Sequence, residues 1–133
     1  MTNTVRQMRL VVTAEDYDNA LTFYRDVLGL SEVASFAAGG GRVTILDAGR
    51  ATLELTDPPH AAHIDEVEVG RRVAGHIRVA FEVDDTAGVV DRLIEAGAIL
   101  IAPPIETPWR SLNARLEGPA GLQLTMFQEL DEV

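Results

Sequence analysis

The sequence predicts an α+β fold built from two βαβββ modules, because the same order of patterns occurs in each half of its 133 residues. Each half begins with apolar and polar residues in alternation, and this period of two is typical of a half-buried strand. A segment with apolar residues at helical spacing comes next, followed by three short extended segments bounded by glycine or proline. The repeat is one of pattern rather than identity, and it predicts two similar sheets related by a pseudo-twofold axis.

The first module is predicted over residues 7–57. Its first strand is MRLVVTA (8–14), and the helix that follows, EDYDNALTFYRDVLGL, begins at a capping Asp16 or Asp18 and ends at Gly29. Three further strands are predicted in the segments SEVASFAA, RVTILDAG and ATLELTD.

The second module is predicted over residues 75–128. Its strand is HIRVAFEV, and its helix is DDTAGVVDRLIEAGA, with Asp84 or Asp85 as the cap and Gly97 as the stop. Its other strands are predicted in ILIAPPI, SLNARLEG and LQLTMFQ. Between the modules lies a polar linker, 58–74, which contains two prolines and to which no element is assigned.

Composition narrows the classes of function. The formal net charge of −10 disfavours non-specific nucleic-acid binding, which needs clustered Lys and Arg. The chain has no cysteine, so it has neither disulfides nor thiolate chemistry. No apolar run approaches the roughly 20 residues of a membrane span. These features predict a soluble, cytoplasmic protein that does not bind membranes. The acidity suits a cationic ligand, although solubility alone also explains it.

Polar side chains mark one face of the predicted sheets. A single helix covers only one face of a four-stranded unit, so the other face must meet a neighbouring unit, a ligand, or both. Strand alternation directs Arg9, Glu54, His76 and Thr125 away from the apolar stripes and toward this second face.

Several of these segments together resemble the vicinal oxygen chelate superfamily, which contains glyoxalase I, bleomycin-resistance proteins, fosfomycin-resistance enzymes and extradiol dioxygenases. The resemblance covers about residues 7–128, and its more specific parts are FYRDVLGL and the GPAGLQL turn into the last strand. It implies two βαβββ modules that form half-open barrels, usually completed in a homodimer. We therefore expect a homodimer that covers the concave apolar surface.

The resemblance also implies where metal ligands lie in the metal-dependent members, namely at positions that correspond to Arg9, Glu54, His76 and Thr125. Glu54 and His76 match the Glu and His of the family, whereas Arg9 and Thr125 do not. A guanidinium cannot ligate a metal, so we expect Arg9 to replace the positive charge of the ion and to pair with Glu54. No tightly bound metal or other cofactor is therefore expected.

Histidines and aromatic residues complete the set of candidates. His60 and His63 of the linker are expected to be exposed loop residues, although either can supply a missing metal ligand. Trp109, in ETPWRS, is placed to stack on a ligand, to anchor a dimer or to cap the core. Phe36 and Phe127 are predicted to line the hollow with it.

Two main functions are compatible with these candidates. The first is metal-free binding of a small cationic or aromatic molecule, as in bleomycin-resistance-like proteins, for which antibiotic sequestration is one use. The alternative is a metal-dependent glyoxalase-like lyase or isomerase, or a dioxygenase, that uses Ni, Zn, Mn or Fe with Glu54 and His76. A third possibility is metal-free acid–base catalysis by Glu54, His76 or both.

Overall fold

The structure is a computed structural model that describes residues 4–130, in which eight strands form one mixed, curled sheet. The strands are β1 (Val5–Thr13), β2 (Glu32–Ala38), β3 (Gly41–Asp47), β4 (Thr52–Thr56), β5 (Ile77–Val83), β6 (Ile99–Glu106), β7 (Ser111–Glu117) and β8 (Gln123–Glu129). Their order across the sheet is β2-β3-β4-β1-β5-β8-β7-β6. The predicted α+β fold with two βαβββ units is confirmed.

Three helices accompany the sheet in the described residues. They are α1 (Tyr17–Leu21), which continues as a π-helical segment (Thr22–Val27), α2 (Pro58–Glu68) and α3 (Thr86–Glu95), with a short 3₁₀ turn at Pro119–Gly121. None of these helices within residues 4–130 is long and apolar enough to cross a membrane.

The two units meet at the centre of the sheet, where β1 and β5 pair antiparallel. In this register Arg9 lies opposite Ala80, and Val11 lies opposite Arg78. On the other side of β1, the parallel partner β4 places Glu54 opposite Val11. Arg9, Glu54 and Arg78 therefore lie near one another on the same face of the three central strands.

The helices next to the core begin at aspartates, as the sequence predicts. The side chain of Asp16 accepts a hydrogen bond from the backbone N–H of Asn19 at 3.2 Å, and that of Asp85 accepts one from Gly88 at 3.1 Å. Such caps satisfy backbone donors that a helix leaves free at its start.

Two apolar clusters lie on the same face of the sheet. One joins α1 to Leu46 and Leu55 through Tyr17. The other joins α3 to the sheet through Val90 and Leu116. Because α1 and α3 cover this face, the opposite face is left to the polar side chains that alternate with the core residues.

Helix α2 lies in the linker, where the sequence analysis assigned no element. Asp57 caps it by accepting from the backbone N–H of His60 at 3.0 Å, and prolines occupy its first turn. Its carboxylates bond to Asn113 and Arg115, which alternate along β7 with core residues. The helix therefore lies on the face of the sheet opposite α1 and α3.

Candidate functional site

A cavity of about 900 Å³ lies on this second face, between the sheet and α2. Both units and α2 contribute side chains to it. Six of the seven side chains that the sequence predicts for the site line this cavity, namely Arg9, Phe36, Glu54, Trp109, Thr125 and Phe127.

His76 lies elsewhere, so the predicted location of this residue is wrong. It precedes β5, is exposed, and is not among the residues that line the cavity, although its carbonyl accepts a hydrogen bond from the Thr13 N–H at 2.9 Å. Arg78, two residues further along, lies in the hollow instead. It stands as far before α3 as Arg9 stands before α1. The number of residues between each arginine and the helix that follows it is the sequence signal that identifies Arg78 as the equivalent of Arg9.

Arg78 is the least exposed of the arginines that line the cavity. Its residue exposure is 9%, and its Nη1 donates to the Thr125 hydroxyl at 2.7 Å. No carboxylate oxygen of residues 4–130 lies within 4.0 Å of its side-chain nitrogens. Burial lowers the pKa of Arg78, and Glu68, the strongest opposing influence, favours its charged form. Sequence analysis missed this residue because it assigned the equivalent position to His76.

Arg9 lies nearer the rim and makes several long contacts. Its Nη1 is 3.9 Å from a Glu54 oxygen, and its Nη2 is 3.6 Å from an oxygen of the exposed Glu129. Its guanidinium also lies over the ring of Phe127, 4.9 Å from the centroid. The predicted pair with Glu54 is thus present, but at a distance longer than a hydrogen bond.

Glu54 carries a carboxylate with little direct support. Its side chain is 17% exposed, and no donor within residues 4–130 makes a hydrogen bond to it. Burial raises the pKa of the Glu54 carboxyl, Arg78 and Arg9 act in the opposite direction, and Glu68 raises the pKa further. Its lone pairs are therefore available to a molecule in the cavity.

The residues at the metal-ligand positions of the family do not fit a divalent metal. Glu54 is one oxygen donor, but Arg9 and Arg78 present guanidinium groups that have no lone pair for a metal. Across residues 4–130, no group of three or more His, Asp or Glu side chains is arranged to hold a metal ion. A catalytic metal usually keeps three protein ligands.

Buried ion pairs attach α2 to the sheet. Arg115, which is fully buried, donates from Nη1 to Asp65 and from Nη2 to Glu68, both at 2.8 Å. Glu68 also accepts from the Asn113 amide at 2.9 Å. Glu68 lines the cavity, so the same network fixes one wall of the site.

Asp65 is the most heavily bonded carboxylate of this network. It accepts from the backbone N–H groups of Val73 and Ala74, each at 2.9 Å, and from Arg72 at 2.7 Å. Burial opposes ionisation of Asp65, but these bonds together with that from Arg115 outweigh it and lower the pKa of the carboxyl.

His60 differs from its expected place in an exposed loop. It lies in the first turn of α2, is 6% exposed, and lines the cavity. Its Nδ1 is 3.3 Å from the carbonyl oxygen of Ala38 on β2. Burial lowers the pKa of His60, which favours the neutral ring. His63 of the same helix also lines the cavity and is half-buried.

Comparisons with known proteins agree with this geometry at the level of the fold. A family model described as Glyoxalase/Bleomycin resistance protein/Dioxygenase superfamily matches residues 6–126. A hypothetical protein from Bacillus halodurans superimposes with a TM-score of 0.73 at 15% identity, with 98% of this chain and 99% of that chain covered.

Two further solved structures are similar in the same way. A superfamily member from Vibrio splendidus has a TM-score of 0.66 at 14% identity, over 95% of this chain and 100% of that one. The methylmalonyl-CoA epimerase of Mycobacterium tuberculosis has a TM-score of 0.66 at 18% identity, over 98% of this chain and 93% of that one. No curated protein matches the chain. At these identities the likeness shows the fold alone.

Proposed function

Because the chain belongs to the Glyoxalase/Bleomycin resistance protein/Dioxygenase superfamily, we propose that it binds a small molecule in the cavity without a tightly bound metal, and that this ligand carries an anionic oxygen group. The proposal concerns binding, and it assigns the recognition of the anion to Arg78, Arg9 and Thr125.

The observation that carries the proposal is the state of Arg78. A buried cation without an ionic partner is costly, and here the only hydrogen bond to a side chain within residues 4–130 is to the neutral hydroxyl of Thr125. A carboxylate or phosphate oxygen in the cavity would supply the missing negative charge. Arginine suits this role because its planar fork can donate two parallel hydrogen bonds to such a group.

The placement of the charges around the cavity supports an anion next to Arg78. Arg9 lies between two carboxylates that line the cavity, Glu54 at 3.9 Å and the exposed Glu129 at 3.6 Å. Arg78, in contrast, has no carboxylate oxygen of residues 4–130 within 4.0 Å of its side-chain nitrogens. The formal net charge of −10 acts little at this position, because distant exposed charges are screened by salt.

Aromatic side chains give the cavity an apolar part. Phe127 is buried beneath Arg9, while Phe36 and Trp109 line the cavity with about half of their surfaces exposed. These rings suit a ligand that combines the anionic group with an apolar or aromatic body.

The alternative, a metal-dependent lyase, isomerase or dioxygenase, requires Glu54 and His76 to share a metal. No observation favours it, since His76 is exposed and lies outside the cavity. Antibiotic sequestration would require the cavity to accept a particular antibiotic.

Three probes with one phenyl group and different charges test the proposal. Phenylacetate, phenylacetamide and phenethylamine are titrated in the presence of a chelator, and binding is measured by NMR and calorimetry. We expect phenylacetate to bind roughly tenfold or more tightly than either of the others, because only it can pair with a guanidinium. Equal or tighter binding of the amine would contradict the proposal.

The homodimer is also a proposal. Several large apolar side chains of the first unit are more than half exposed, namely Phe23, Val27, Leu28, Val33 and Phe36. Exposed apolar side chains in this number favour a partner that covers some of them. Light scattering should give twice the chain mass of 14.4 kDa at micromolar concentration. A mass of one chain would contradict the dimer.

A further inference from the structure

A second, much smaller cavity adjoins the first beneath α2. Its volume is about 10 Å³, and Glu54, His60, Ile64 and Arg78 line both cavities. This volume holds one water-sized group, since a water needs about 10–15 Å³ by the same kind of measure. Because they share these four residues, the small cavity lies next to the part of the large cavity that Glu54 and Arg78 line.

His60 offers a hydrogen-bond acceptor to this space. A carbonyl oxygen only accepts, so the contact between Nδ1 and the Ala38 carbonyl requires the proton to be on Nδ1. In the neutral ring Nε2 then has a lone pair and no proton. No residue between 4 and 130 donates to this nitrogen. His60 lines both cavities, so this lone pair is the acceptor that its ring can offer to a group there.

Glu54 and Arg78 supply the other polar groups. The carboxylate of Glu54 receives no hydrogen bond from the described residues, so it is a second acceptor. Arg78 has donors beyond the one directed at Thr125, and it has no acceptor of its own. A group that enters this space thus meets two acceptors and one cationic donor.

We propose that the small cavity is a hydroxyl subsite, and that the ligand is a hydroxy acid whose hydroxyl lies among Glu54, His60 and Arg78. The proposal rests on the proposed function, because the acid group of the same ligand binds in the large cavity. A hydroxyl both donates and accepts, so it can donate to His60 or Glu54 while its oxygen accepts from Arg78. It is also small enough for the space.

An ammonium group fits this subsite less well. It could donate to both acceptors, but it cannot accept from Arg78, and its charge would lie beside a guanidinium that already lacks a carboxylate partner. A methyl group would leave all three polar groups unpaired. The chemistry therefore selects a hydroxyl over both alternatives.

Three acids that differ at one substituent test this subsite. Mandelate, phenylglycine and phenylacetate share the phenyl ring and the carboxylate, and they carry a hydroxyl, an ammonium and a hydrogen at the same carbon. We expect the better enantiomer of mandelate to bind the wild-type protein roughly tenfold more tightly than phenylacetate, with phenylglycine no better than phenylacetate.

Two variants assign the effect to His60. His60→Asn keeps a donor for the Ala38 carbonyl but lacks the Nε2 acceptor, so it should remove the preference for mandelate over phenylacetate. His76→Asn is the matched control, since His76 is exposed and outside the cavity, and it should change neither affinity.

The outcomes separate this inference from the proposed function. If both acids bind the wild-type protein equally, the small cavity holds only water and the hydroxyl subsite is wrong, while anion binding stands. If neither acid binds, the proposed function fails with it. Nitrogen-15 NMR of the His60 ring gives an independent reading: an unprotonated Nε2 at neutral pH is expected, and a proton on Nε2 would overturn the inference.

Discussion

Replacement of Arg115 by methionine should lower the free energy of unfolding by about 3–5 kcal/mol, the largest effect expected from a single substitution in this protein. Arg115 is fully buried and holds Asp65 and Glu68, each at 2.8 Å. Methionine preserves much of the apolar stem but leaves two buried carboxylates without this cation. Urea unfolding of the wild-type and variant proteins measures the difference.

Arg72→Met is the matched control. Arg72 also contacts Asp65, at 2.7 Å, but its side chain is 45% exposed, so its loss should cost about 1 kcal/mol or less. Adding Asp65→Asn to Arg115→Met should recover part of the stability, because asparagine can still accept from the Val73 and Ala74 N–H groups without a buried charge. If Arg115→Met and Arg72→Met lowered the free energy of unfolding equally, burial of the ion pair would not explain the size of the effect.

The pH dependence of the Arg115 effect follows from Asp65. The hydrogen bonds to this carboxyl lower its pKa in the folded protein despite the opposing effect of burial. The resulting stability is fully present above the unfolded pKa of about 3.9 and is lost as the pH falls through the lower folded value. The difference between wild type and Arg115→Met should therefore be largest near neutral pH and shrink in strong acid. A difference that grows on acidification would contradict this account.

Arg78→Met should weaken phenylacetate binding by roughly 10- to 100-fold, the range expected for loss of a hydrogen bond to a charged group. Arg78 is 9% exposed and, within the described residues, its side chain is hydrogen-bonded only to Thr125. A cation whose role is to hold the fold should stabilise the protein in the absence of ligand, whereas a cation whose role is to bind the ligand should not. For Arg78→Met we therefore expect the free energy of phenylacetate binding to weaken far more than the free energy of unfolding measured without ligand.

Two further variants complete this prediction. Arg78→Lys retains the charge but loses the planar fork, so phenylacetate binding should be intermediate. Arg6→Met is the control, since Arg6 pairs with Asp84 on the surface and is 64% exposed. Unchanged phenylacetate binding by Arg78→Met would remove Arg78 from the site.

Strand alternation was enough to predict which face of the sheet carries the site. Arg9, Glu54 and Thr125 line the cavity because residues that alternate with an apolar stripe must lie on the opposite face. The same rule places His76 and Arg78 on one side of an extended chain and does not choose between them. The choice depends on where β5 begins, and strand ends are set by pairing with a neighbour. Here the register of β1 with β5 ends at Ile77, although the His76 carbonyl still accepts from the Thr13 N–H.

Helix α2 was missed for a different physical reason. Its apolar positions do not follow a helical stripe, because it buries His60, Asp65 and Glu68 rather than a row of large apolar side chains. These polar groups are satisfied by Ala38 and Arg115, which are distant in sequence. No local pattern reveals such partners, although an aspartate followed by two prolines is a known signal for a helix start.

The dependence of phenylacetate binding on metal tests the central claim most directly. The purified protein is analysed for metal content, and phenylacetate is titrated after chelation and again with added Ni, Zn, Mn or Fe(II). We predict far less than one metal ion per chain and the same affinity in every condition, because Arg78 and Arg9 supply the positive charge. One divalent ion per chain, with phenylacetate binding lost on chelation and restored by the metal, would contradict the claim.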